Sequence, residues 1–391
     1  MRILHVTPTY LPATRYGGPI YSVHGLCAAL ALRGHHVEVF TTNVDGGDVS
    51  NVPVGRPVTM DGVEVTYFPT GVGRRLYRSP MMTKFLSRRL PEFDLAHIHS
   101  VFLWPTITGA AVSRRSGVPY ILSPRGMLVH ELIARKSRLV KQSWIYLFER
   151  RNVREAAALH VTSSLEAEQI MRLGLSPRRV DVIPNGFDLP LDASSAIADA
   201  APRSGGPVVL SLGRINWKKG LDRLITSMAR VQGAELIIAG NDDDGYTEQL
   251  NALAKSQGVA GRTHIVGPVH GRTKWDLFAR ADVFALASHS ENFGIAVLEA
   301  MACGIPVVVT PEVGLAGAIG DAGAGLVIDS DPETFGAAIA QLIATPELRR
   351  QMGERGRRLA LSYSWSAVAE RMEKTYAEII ASSSKTERDL V

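Results

Sequence analysis

Two glutamates, eight positions apart, are the residues of this sequence best suited to chemistry. Glu291 closes a polar loop, and Glu299 belongs to an apolar run, residues 294–302, that predicts a short buried helix. A carboxylate inside an apolar helix is costly unless another group pairs with it. Near a helix start, side chains and free backbone N–H groups together could hold an oxygen-rich ligand. The alternative is a structural ion pair with a buried arginine, and the two glutamates alone favour neither interpretation.

Two basic residues stand beside another predicted helix start. Arg214 and Lys219 follow a buried strand, residues 208–212, and precede a helix that begins at about Gly220. A helix N-terminus prefers negative neighbours, so two cations there are unusual. An anion bound between them and the helix N–H groups would resolve the conflict. Surface cations on a solvated loop are the alternative, which the preceding buried strand makes the weaker interpretation.

Histidines and acidic residues raise the question of a metal. Alternation along a strand places His97 and His99 on one face. A histidine at such a position more often forms a structural hydrogen bond than a ligand contact, although this spacing also occurs in metal sites. The acidic cluster 242–244 is in the other half of the chain and is typical of a solvated loop. We therefore predict no metal, although Asp242 and Asp244 formally make an Asp-x-Asp motif.

A glycine pair, Gly17-Gly18, follows the first predicted strand. It is consistent with a simple turn or with a close approach of the backbone to a ligand. It is not the G-x-G-x-x-G pattern, and neither half of the chain has that pattern after its first strand, which argues against a nicotinamide dehydrogenase. The G-x-x-x-x-G-K-[ST] loop and the G-x-S-x-G elbow are absent from the sequence as well.

The elements that must position these residues alternate between strand and helix. Such alternation predicts parallel sheets covered on both faces, with ligands bound at the carboxyl ends of the strands. Gly18, His99, Arg214 and Glu291 all follow predicted strands, so four loops are expected to converge on one cleft. The predicted strands are 3–7, 37–41, 63–68, 95–98, 120–123, 159–162 and 180–183 in the first series, and 208–212, 235–239, 264–266, 283–287 and 306–310 in the second.

The two series predict an α/β protein with two tandem doubly wound Rossmann-like domains facing a central cleft. We expect an N-terminal domain over residues 1–188 and a C-terminal domain over 207–363. Between them, 189–206 is rich in Ala, Ser, Asp, Pro and Gly and predicts a linker. The remaining residues, 364–391, predict a helix that crosses back to the first domain and a frayed end.

Composition indicates the class of protein and its compartment. Among the 391 residues, 46% are hydrophobic and 21% charged, which is typical of a soluble globular protein. No window approaches 18 unbroken apolar residues, and the N-terminus does not resemble a signal peptide. Cys27 and Cys303 have small apolar neighbours and predict packed thiols in a reducing compartment. These features predict a cytoplasmic location.

The positive charge is concentrated in the first half of the chain. Residues 1–190 contain 23 Lys and Arg against 14 Asp and Glu, whereas the rest contains 20 against 24. Residues 79–90 predict an amphipathic helix, and the stretch from Arg135 to Arg154 adds basic residues around Trp144, Tyr146, Leu147 and Phe148. We consider peripheral binding to an anionic inner-membrane surface and packing within the domain equally supported. Nothing resembles a nucleic-acid recognition element.

The order of the motifs resembles that of retaining family-4 glycosyltransferases (glycosyl transferases group 1), which have the GT-B fold. The resemblance covers nearly the whole chain, and the glutamate pair with its Phe-Gly core is its most specific part. The motifs that carry it are Gly17-Gly18, His99, Pro184-Asn185-Gly186-Phe187-Asp188, Gly213-Arg214, Lys219-Gly220 and Glu291 to Glu299.

The resemblance implies a role for each matched residue. Arg214 and Lys219 would hold the donor diphosphate, Glu291 the hydroxyls of the transferred sugar, and Glu299 the ribose. His99 would lie near the reacting carbon of the sugar. The base would be read by the loop 266–269. Further donor contacts are implied for Gly17, Gly18, Val269, Asn292, Phe293, Gly294 and Ile295.

The activity so implied is transfer of a hexose-type sugar from a nucleotide-diphosphate sugar to a hydroxyl acceptor, with no metal or other cofactor. We expect a glycan or polyprenyl-diphosphate-linked acceptor, a lipid-linked oligosaccharide of surface polysaccharide, exopolysaccharide or lipopolysaccharide assembly. UDP, GDP and ADP donors all fit the motifs. The alternatives are a nucleotide-sugar 2-epimerase of the same fold and a non-catalytic, two-lobed sugar-binding protein.

Overall fold

The computed structural model describes residues 1–13, 15, 18–130, 133, 138–190, 193, 195, 205–242 and 245–388, without the side chains of 384–388. Gly17, Arg135, Asp243, Asp244 and most of the predicted linker 189–206 lie outside the described residues. The chain divides into two compact units. The first comprises Met1–Gly186 and Trp365–Val391, and the second Phe187–Ser364.

The first unit is built on an eight-stranded sheet. Its elements include the strands β1 (Arg2–Val6), β2 (His36–Thr42), β3 (Val44–Asp45), β4 (Asp48–Val49), β5 (Pro57–Met60), β6 (Val63–Phe68), β7 (Leu95–His99), β8 (Tyr120–Ser123), β9 (Ala158–Val161) and β10 (Val180–Val182). The order across the sheet is β10-β9-β8-β7-β1-β2-β6-β5, and β3 and β4 form a separate hairpin. Only β5 pairs antiparallel within the large sheet. The strands that follow β1 in the chain extend the sheet on one side of it, and β7 to β10 extend it on the other side. The topological switch point therefore lies between β1 and β7.

Helices connect these strands. They are α1 (Gly18–Leu32), α2 (Pro80–Arg89), α3 (Trp104–Ser116), α4 (Arg138–Trp144), α5 (Arg150–Glu155) and α6 (Ser164–Arg172), with a π-helical turn at Ile145–Glu149 and 3₁₀ turns at Arg74–Leu76 and Leu90–Glu92. Serine side chains cap two of the helices. Ser79 accepts the Met82 N–H at the start of α2, and Ser163 accepts the Glu166 N–H at the start of α6.

The second unit contains a six-stranded, all-parallel sheet of order β13-β12-β11-β14-β15-β16. Here the switch point lies between β11 and β14. The strands are β11 (Val208–Leu212), β12 (Glu235–Ala239), β13 (Thr263–Gly267), β14 (Val283–Leu286), β15 (Val307–Val309) and β16 (Gly325–Val327). The helices are α7 (Leu221–Ser227), α8 (Thr247–Ser256), α9 (Gly271–Arg280), α10 (Ile295–Ala302), α11 (Ala316–Ala322), α12 (Pro332–Ala344) and α13 (Pro346–Leu361), with 3₁₀ turns at Trp217–Lys219, Met228–Arg230 and Ala260–Arg262.

The last helix, α14 (Trp365–Arg388), belongs to the first unit and packs on α1. Val368, Met372, Tyr376 and Ile379 are buried at helical spacing and contribute to the core of that unit. A Cβ atom at Gly25 would lie only 2.3 Å from the nearest carbon atoms of the Trp365 ring. A side chain larger than hydrogen at Gly25 would therefore displace the start of this helix.

The predicted doubly wound α/β fold is confirmed. Strands 63–68, 120–123, 208–212 and 235–239 have the predicted bounds. No sequence pattern predicts β5, β16 or the β3–β4 hairpin, because these strands are short or half exposed and lack a continuous apolar run.

The amphipathic helix predicted at 79–90 exists as α2, but its apolar face is not free. Met82 and Leu86 are fully buried in the core of the first unit. The hypothesis that this helix lies on a membrane is therefore wrong for its apolar face. Among the described residues, no helix is both long and apolar enough to cross a bilayer. Cys27 and Cys303 are buried free thiols, and burial raises the pKa of Cys303 to about 12.

Candidate active site

The switch point of the second sheet brings together the two loops that carry the predicted charged residues. β11 and β14 are hydrogen-bonded neighbours, with Leu210 opposite Phe284. The loop after β11 carries Arg214 and Lys219, and the loop after β14 carries Glu291. Parallel strands end at the same edge of a sheet, so these loops meet there.

Local structure fixes the loop after β11. The Asn216 side chain accepts the Lys218 N–H at 3.1 Å and caps the 3₁₀ turn at Trp217–Lys219. Gly220 follows in the left-handed region at φ 59°, and a Cβ there would lie 1.9 Å from the Ala287 carbonyl oxygen. Only glycine allows so close an approach to the end of β14. The His289 N–H also donates to the Lys218 carbonyl, at 2.8 Å.

The consequence is an ion pair between Lys219 and Glu291. Lys219 Nζ lies 2.5 Å from Glu291 Oε2, and each side chain is less than one-fifth exposed. Burial acts to raise the pKa of Glu291, but the charge and hydrogen bond of Lys219 act against it. The Phe293 N–H and the Arg214 charge act in the same direction, and the pKa falls below its usual value. Glu291 is therefore an ionised acceptor at neutral pH.

This arrangement differs from the predicted one in two respects. The anion expected beside Lys219 is present within the protein, as the Glu291 carboxylate, whereas Arg214 is exposed. The Phe293 N–H, implied as a ligand contact, donates to Glu291. The Phe293 side chain is buried in the core and anchors the loop. Asn292 lies in the same loop. Its carbonyl oxygen is so close to Gly314 that a Cβ atom at Gly314 would lie 2.1 Å from it.

Glu299 has a different partner, Lys274 of α9. Lys274 Nζ lies 2.7 Å from Glu299 Oε1 and 4.2 Å from the centroid of the Trp275 ring. Burial raises the pKa of Glu299, and Lys274 only partly opposes it. The expectation that Glu299 stands near a helix start is wrong. It is in the second half of α10, which begins at Ile295.

Gly294 and Val269 occupy positions suited to backbone recognition. Gly294 precedes α10 at φ 100°, a conformation that favours glycine, and turns the chain into the helix. Val269 is half-buried between β13 and α9. The carbonyl of the neighbouring Gly267 accepts the Gly240 N–H at 2.7 Å. The first unit places Gly18 as the first, exposed residue of α1.

His99 lies at the end of β7 and is fully buried. Arg125, which has only donors, approaches His99 Nδ1, with Nη2 at 3.2 Å. The His99 proton is therefore assigned to Nε2, which donates to His5 Nδ1 at 2.9 Å. Both ring nitrogens of His99 are engaged by protein groups. The sugar contact predicted for His99 would require Arg125 or His5 to give up its hydrogen bond.

A second chain of imidazoles runs beside the first. His160 Nε2 donates to the Ile183 carbonyl at 2.9 Å, so its Nδ1 accepts from His97 Nε2 at 3.3 Å. His97 Nδ1 in turn accepts from the Tyr376 hydroxyl at 2.7 Å. Burial lowers the pKa of all four histidines, to about 3 for His5 and His160, and the charge of Arg125 lowers them further. These rings are neutral.

The same histidines are the residues that could approach a metal. Nitrogen atoms of His5, His97 and His99 lie within 4.8 Å of one another, and a second such group is His36, Glu38 and Glu64. In the first group the neighbouring Arg125 charge opposes a cation, and hydrogen bonds occupy both nitrogens of His97 and His99. A site that works without metal stays a prediction.

Two family models match this chain. Residues 17–186 match the glycosyl transferase 4-like domain, and residues 194–359 match glycosyl transferases group 1. The chain belongs to the family-4 glycosyltransferases of the GT-B fold.

Relatives of the glycosyltransferase are similar over almost their whole length. D-inositol 3-phosphate glycosyltransferase of Segniliparus rotundus is 29% identical, over 95% of this chain and 87% of its own. That of Xylanimonas cellulosilytica is 27% identical, over 97% and 96%. Among solved structures, sucrose-phosphate synthase from Thermosynechococcus elongatus has a TM-score of 0.76 at 22% identity, covering 97% of this chain and 99% of its own. Anabaena Alr3699/HepE, in complex with UDP and glucose, has a TM-score of 0.73 at 18% identity, covering 97% and 100%.

Besides Lys274, sequence reasoning missed a polar constellation of the glycosyltransferase around Arg125. Arg125 follows β8 in the left-handed region, at φ 55°, and donates to Asn185 Oδ1 at 2.9 Å. Burial lowers the pKa of Arg125 to about 10. The Glu166 carboxylate fixes the adjacent loops by accepting the Gly126 N–H at 2.6 Å and the Thr162 N–H at 2.8 Å. The one sequence feature that pointed to this constellation was Asn185, which belongs to the motif 184–188.

Proposed function

We propose that this glycosyltransferase moves a hexose-type sugar from a nucleotide-diphosphate sugar to a hydroxyl group, with retention of anomeric configuration. The observation that carries the proposal is the Lys219–Glu291 pair, with Arg214 beside it, at the switch point of the second sheet. Breaking a sugar–phosphate bond leaves charge on the diphosphate, and fixed cations stabilise that charge most in the transition state. The structural neighbour Alr3699/HepE, solved in complex with UDP and with UDP-glucose, supports a donor of this class.

Each charged residue has a role in this proposal. Glu291 accepts hydrogen bonds from hydroxyls of the transferred sugar, because its carboxylate stays ionised and has more lone pairs than Lys219 and Phe293 use. Lys219 and the exposed Arg214 contact the diphosphate. Glu299 accepts from the ribose hydroxyls while Lys274 balances its charge. Backbone groups of the 266–269 loop read the base.

In the proposed reaction, the bond between the anomeric carbon and the diphosphate oxygen breaks, and its electron pair leaves with the diphosphate. The acceptor oxygen forms its bond to the same face of that carbon. The acceptor proton passes to the departing phosphate oxygen, so the proposal needs no separate protein base. It also uses neither a metal nor another cofactor.

The acceptor is proposed at the level of its chemistry. The basic first half of the chain suits an acceptor that carries phosphate as well as a hydroxyl group. A polyprenyl-diphosphate-linked oligosaccharide of surface polysaccharide assembly meets this description. So does a phosphorylated cyclitol, the acceptor class in the names of the curated relatives.

The test is a matrix of donors and acceptors with the purified protein. Thermal shift against UDP, GDP and ADP sugars should identify the donor, since a ligand that binds the folded state stabilises it. With that donor, nucleotide release should rise when lipid-diphosphate glycan or inositol phosphate is added, and NMR of the product should show the donor's anomeric configuration. An altered sugar released without acceptor would indicate the epimerase instead. Donor binding without any turnover would indicate the sugar-binding protein.

A further inference from the structure

The first unit contains a basic pocket outside the constellation around His99. It has a volume of about 340 Å³ and is lined by Arg138, Arg150, Arg172, His130, Ile145 and Tyr146, among others. No acidic side chain belongs to the lining, as far as the described residues show. Within the described part of the chain, Arg138 and Arg150 form no ion pair, and Arg172 reaches only Glu168 at 3.8 Å across an exposed helix turn. The pocket therefore has unbalanced positive charge.

The helix beside this pocket is held from within. α4, the π-helical turn and α5 run without interruption from Arg138 to Glu155, and Ile145, Glu149 and Val153 are buried on the inner face. The Glu149 carboxylate accepts the Phe102 N–H at 2.8 Å and the Trp144 indole N–H at 3.1 Å. With these bonds made, the helix cannot turn its outer face inward.

That outer face is unusually apolar for a surface. Leu139, Val140, Tyr146 and Leu147 are 79%, 67%, 71% and 63% exposed. A single exposed apolar side chain is ordinary, but four within nine residues of one helical segment form a patch. The basic residues of the same segment are Arg138, Lys141, Arg150, Arg151 and Arg154. Of its two acidic residues, Glu149 is buried, and Glu155 pairs with Arg151 and Arg154. We call the four apolar side chains the apolar strip and the pocket the arginine pocket.

We propose that this face docks on an anionic lipid bilayer, with the apolar strip in the interface and a lipid phosphate in the arginine pocket. An apolar strip flanked by arginines matches the boundary between acyl chains and anionic headgroups. A free phosphate would satisfy the pocket but would leave the strip in water. The inference goes beyond the proposed function, because it holds whichever sugar is transferred. Of the two segments that suggested membrane binding in the sequence, it keeps the basic and aromatic one, which contains α4 and the π-helical turn, and drops α2, whose apolar face is buried.

The test is co-sedimentation of the full-length protein with vesicles of phosphatidylcholine, with and without phosphatidylglycerol. We expect binding to the anionic vesicles at low salt, and weaker binding as salt increases. The double variant Leu139→Ser/Leu147→Ser should weaken binding about a hundredfold. Arg138→Gln/Arg172→Gln should weaken binding to anionic vesicles about thirtyfold.

Two matched controls exist elsewhere on the chain. Leu361→Ser removes an apolar side chain that is 74% exposed in the second unit, and Arg88→Gln removes an exposed arginine of α2. Neither should change vesicle binding by more than about twofold, apart from the small effect of net charge. Circular dichroism and the thermal midpoint of each variant establish that it is folded.

Three outcomes would overturn the inference. One is a wild-type protein that stays in the supernatant with anionic vesicles at low salt. Another is a strip variant that sediments like the wild type. The third is stabilisation by inorganic phosphate that depends on Arg138 and Arg172 without any vesicle binding, which would assign the pocket to a soluble phosphate compound. The assay contains no sugar donor, so its failure is distinguishable from failure of glycosyl transfer.

Discussion

At the scale of single residues, two Lys–Glu pairs of the second unit have opposite electrostatic character. Glu291 has the Phe293 N–H and Arg214 in addition to Lys219, and its pKa lies below the usual value. Glu299 has Lys274 alone, and burial keeps its pKa above the usual value. The difference suits the proposed roles, because the carboxylate nearest the reacting sugar stays charged over the wider pH range.

Replacing Lys219 tests whether its positive charge, paired with the Glu291 carboxylate, contributes to catalysis. Lys219→Gln should lower kcat/KM about ten- to a hundredfold, since it removes one charge-assisted hydrogen bond of about 1.5–3 kcal/mol from the transition state. Steady-state nucleotide release measures the change. Lys255→Gln, at an exposed lysine of α8, is the matched control. A Lys219→Gln enzyme with the kcat/KM of the control would contradict the assigned role.

Glu299 predicts a specific pH dependence. Its raised pKa means that it takes up a proton at a higher pH than an ordinary glutamate as the solution is acidified, and a protonated carboxyl accepts ribose hydroxyls poorly. The KM for donor should therefore rise towards acid pH while kcat changes less. In Glu299→Gln, KM should be raised at every pH and this acid-side rise should disappear. A pH profile of KM that is the same in both proteins would refute the ribose assignment.

At the scale of elements, the apolar strands of the sheets could be predicted and the contacts between distant elements could not. Strands such as 208–212 are short runs rich in valine and leucine, so their bounds follow from pattern alone. Arg214, Lys219 and Glu291 were identified because each follows such a strand. Lys274 and Arg125 were missed because their partners, Glu299 and Asn185, are distant in sequence and meet them only in the folded chain.

The approach of Gly220 to β14 gives a prediction at this scale. Gly220→Ala should destabilise the protein by more than about 3 kcal/mol, because the new Cβ would overlap the Ala287 carbonyl and push the loop with Lys219 away. Gly233 has a similar φ, 69°, with nothing within 4 Å of its Cβ position. Gly233→Ala should cost only about 1–2 kcal/mol, the conformational part. Urea denaturation compares the two, and equal losses would show that contact with β14 is unimportant.

At the scale of the whole molecule, the first unit is assembled from both ends of the sequence. α14 supplies Tyr376, which donates to His97 inside the sheet and joins the chain of imidazoles that ends at Ile183. The sequence suggested the return of this helix through its position after the second series of strands. It gave no sign of the buried histidines as a group, because His5, His97 and His160 come from three separate strands.

These histidines predict acid sensitivity of the folded state. Their pKa values are lowered on folding, so below about pH 6.5 the unfolded chain binds protons that the folded chain does not. The free energy of unfolding is therefore fully present above that pH and decreases as the pH falls towards about 3. Each such histidine contributes a slope of about 1.4 kcal/mol per pH unit. His160→Asn should reduce the measured slope of unfolding free energy between pH 6 and 4 by about that amount, and an unchanged slope would contradict the neutral assignment.

The two-part construction of the first unit also sets an order of synthesis. A ribosome releases the strands of the eight-stranded sheet first, then all of Phe187–Ser364, and only afterwards the helix that covers α1. The second unit, although later in the chain, can be completed on the ribosome while the first still waits for its final helix. The face of α1 that carries Gly25 and Ala29, on which the Trp365 ring packs at Gly25, therefore stays uncovered throughout that interval. It is during translation, more than in the finished enzyme, that this apolar helix face is open to chaperones and to other nascent chains.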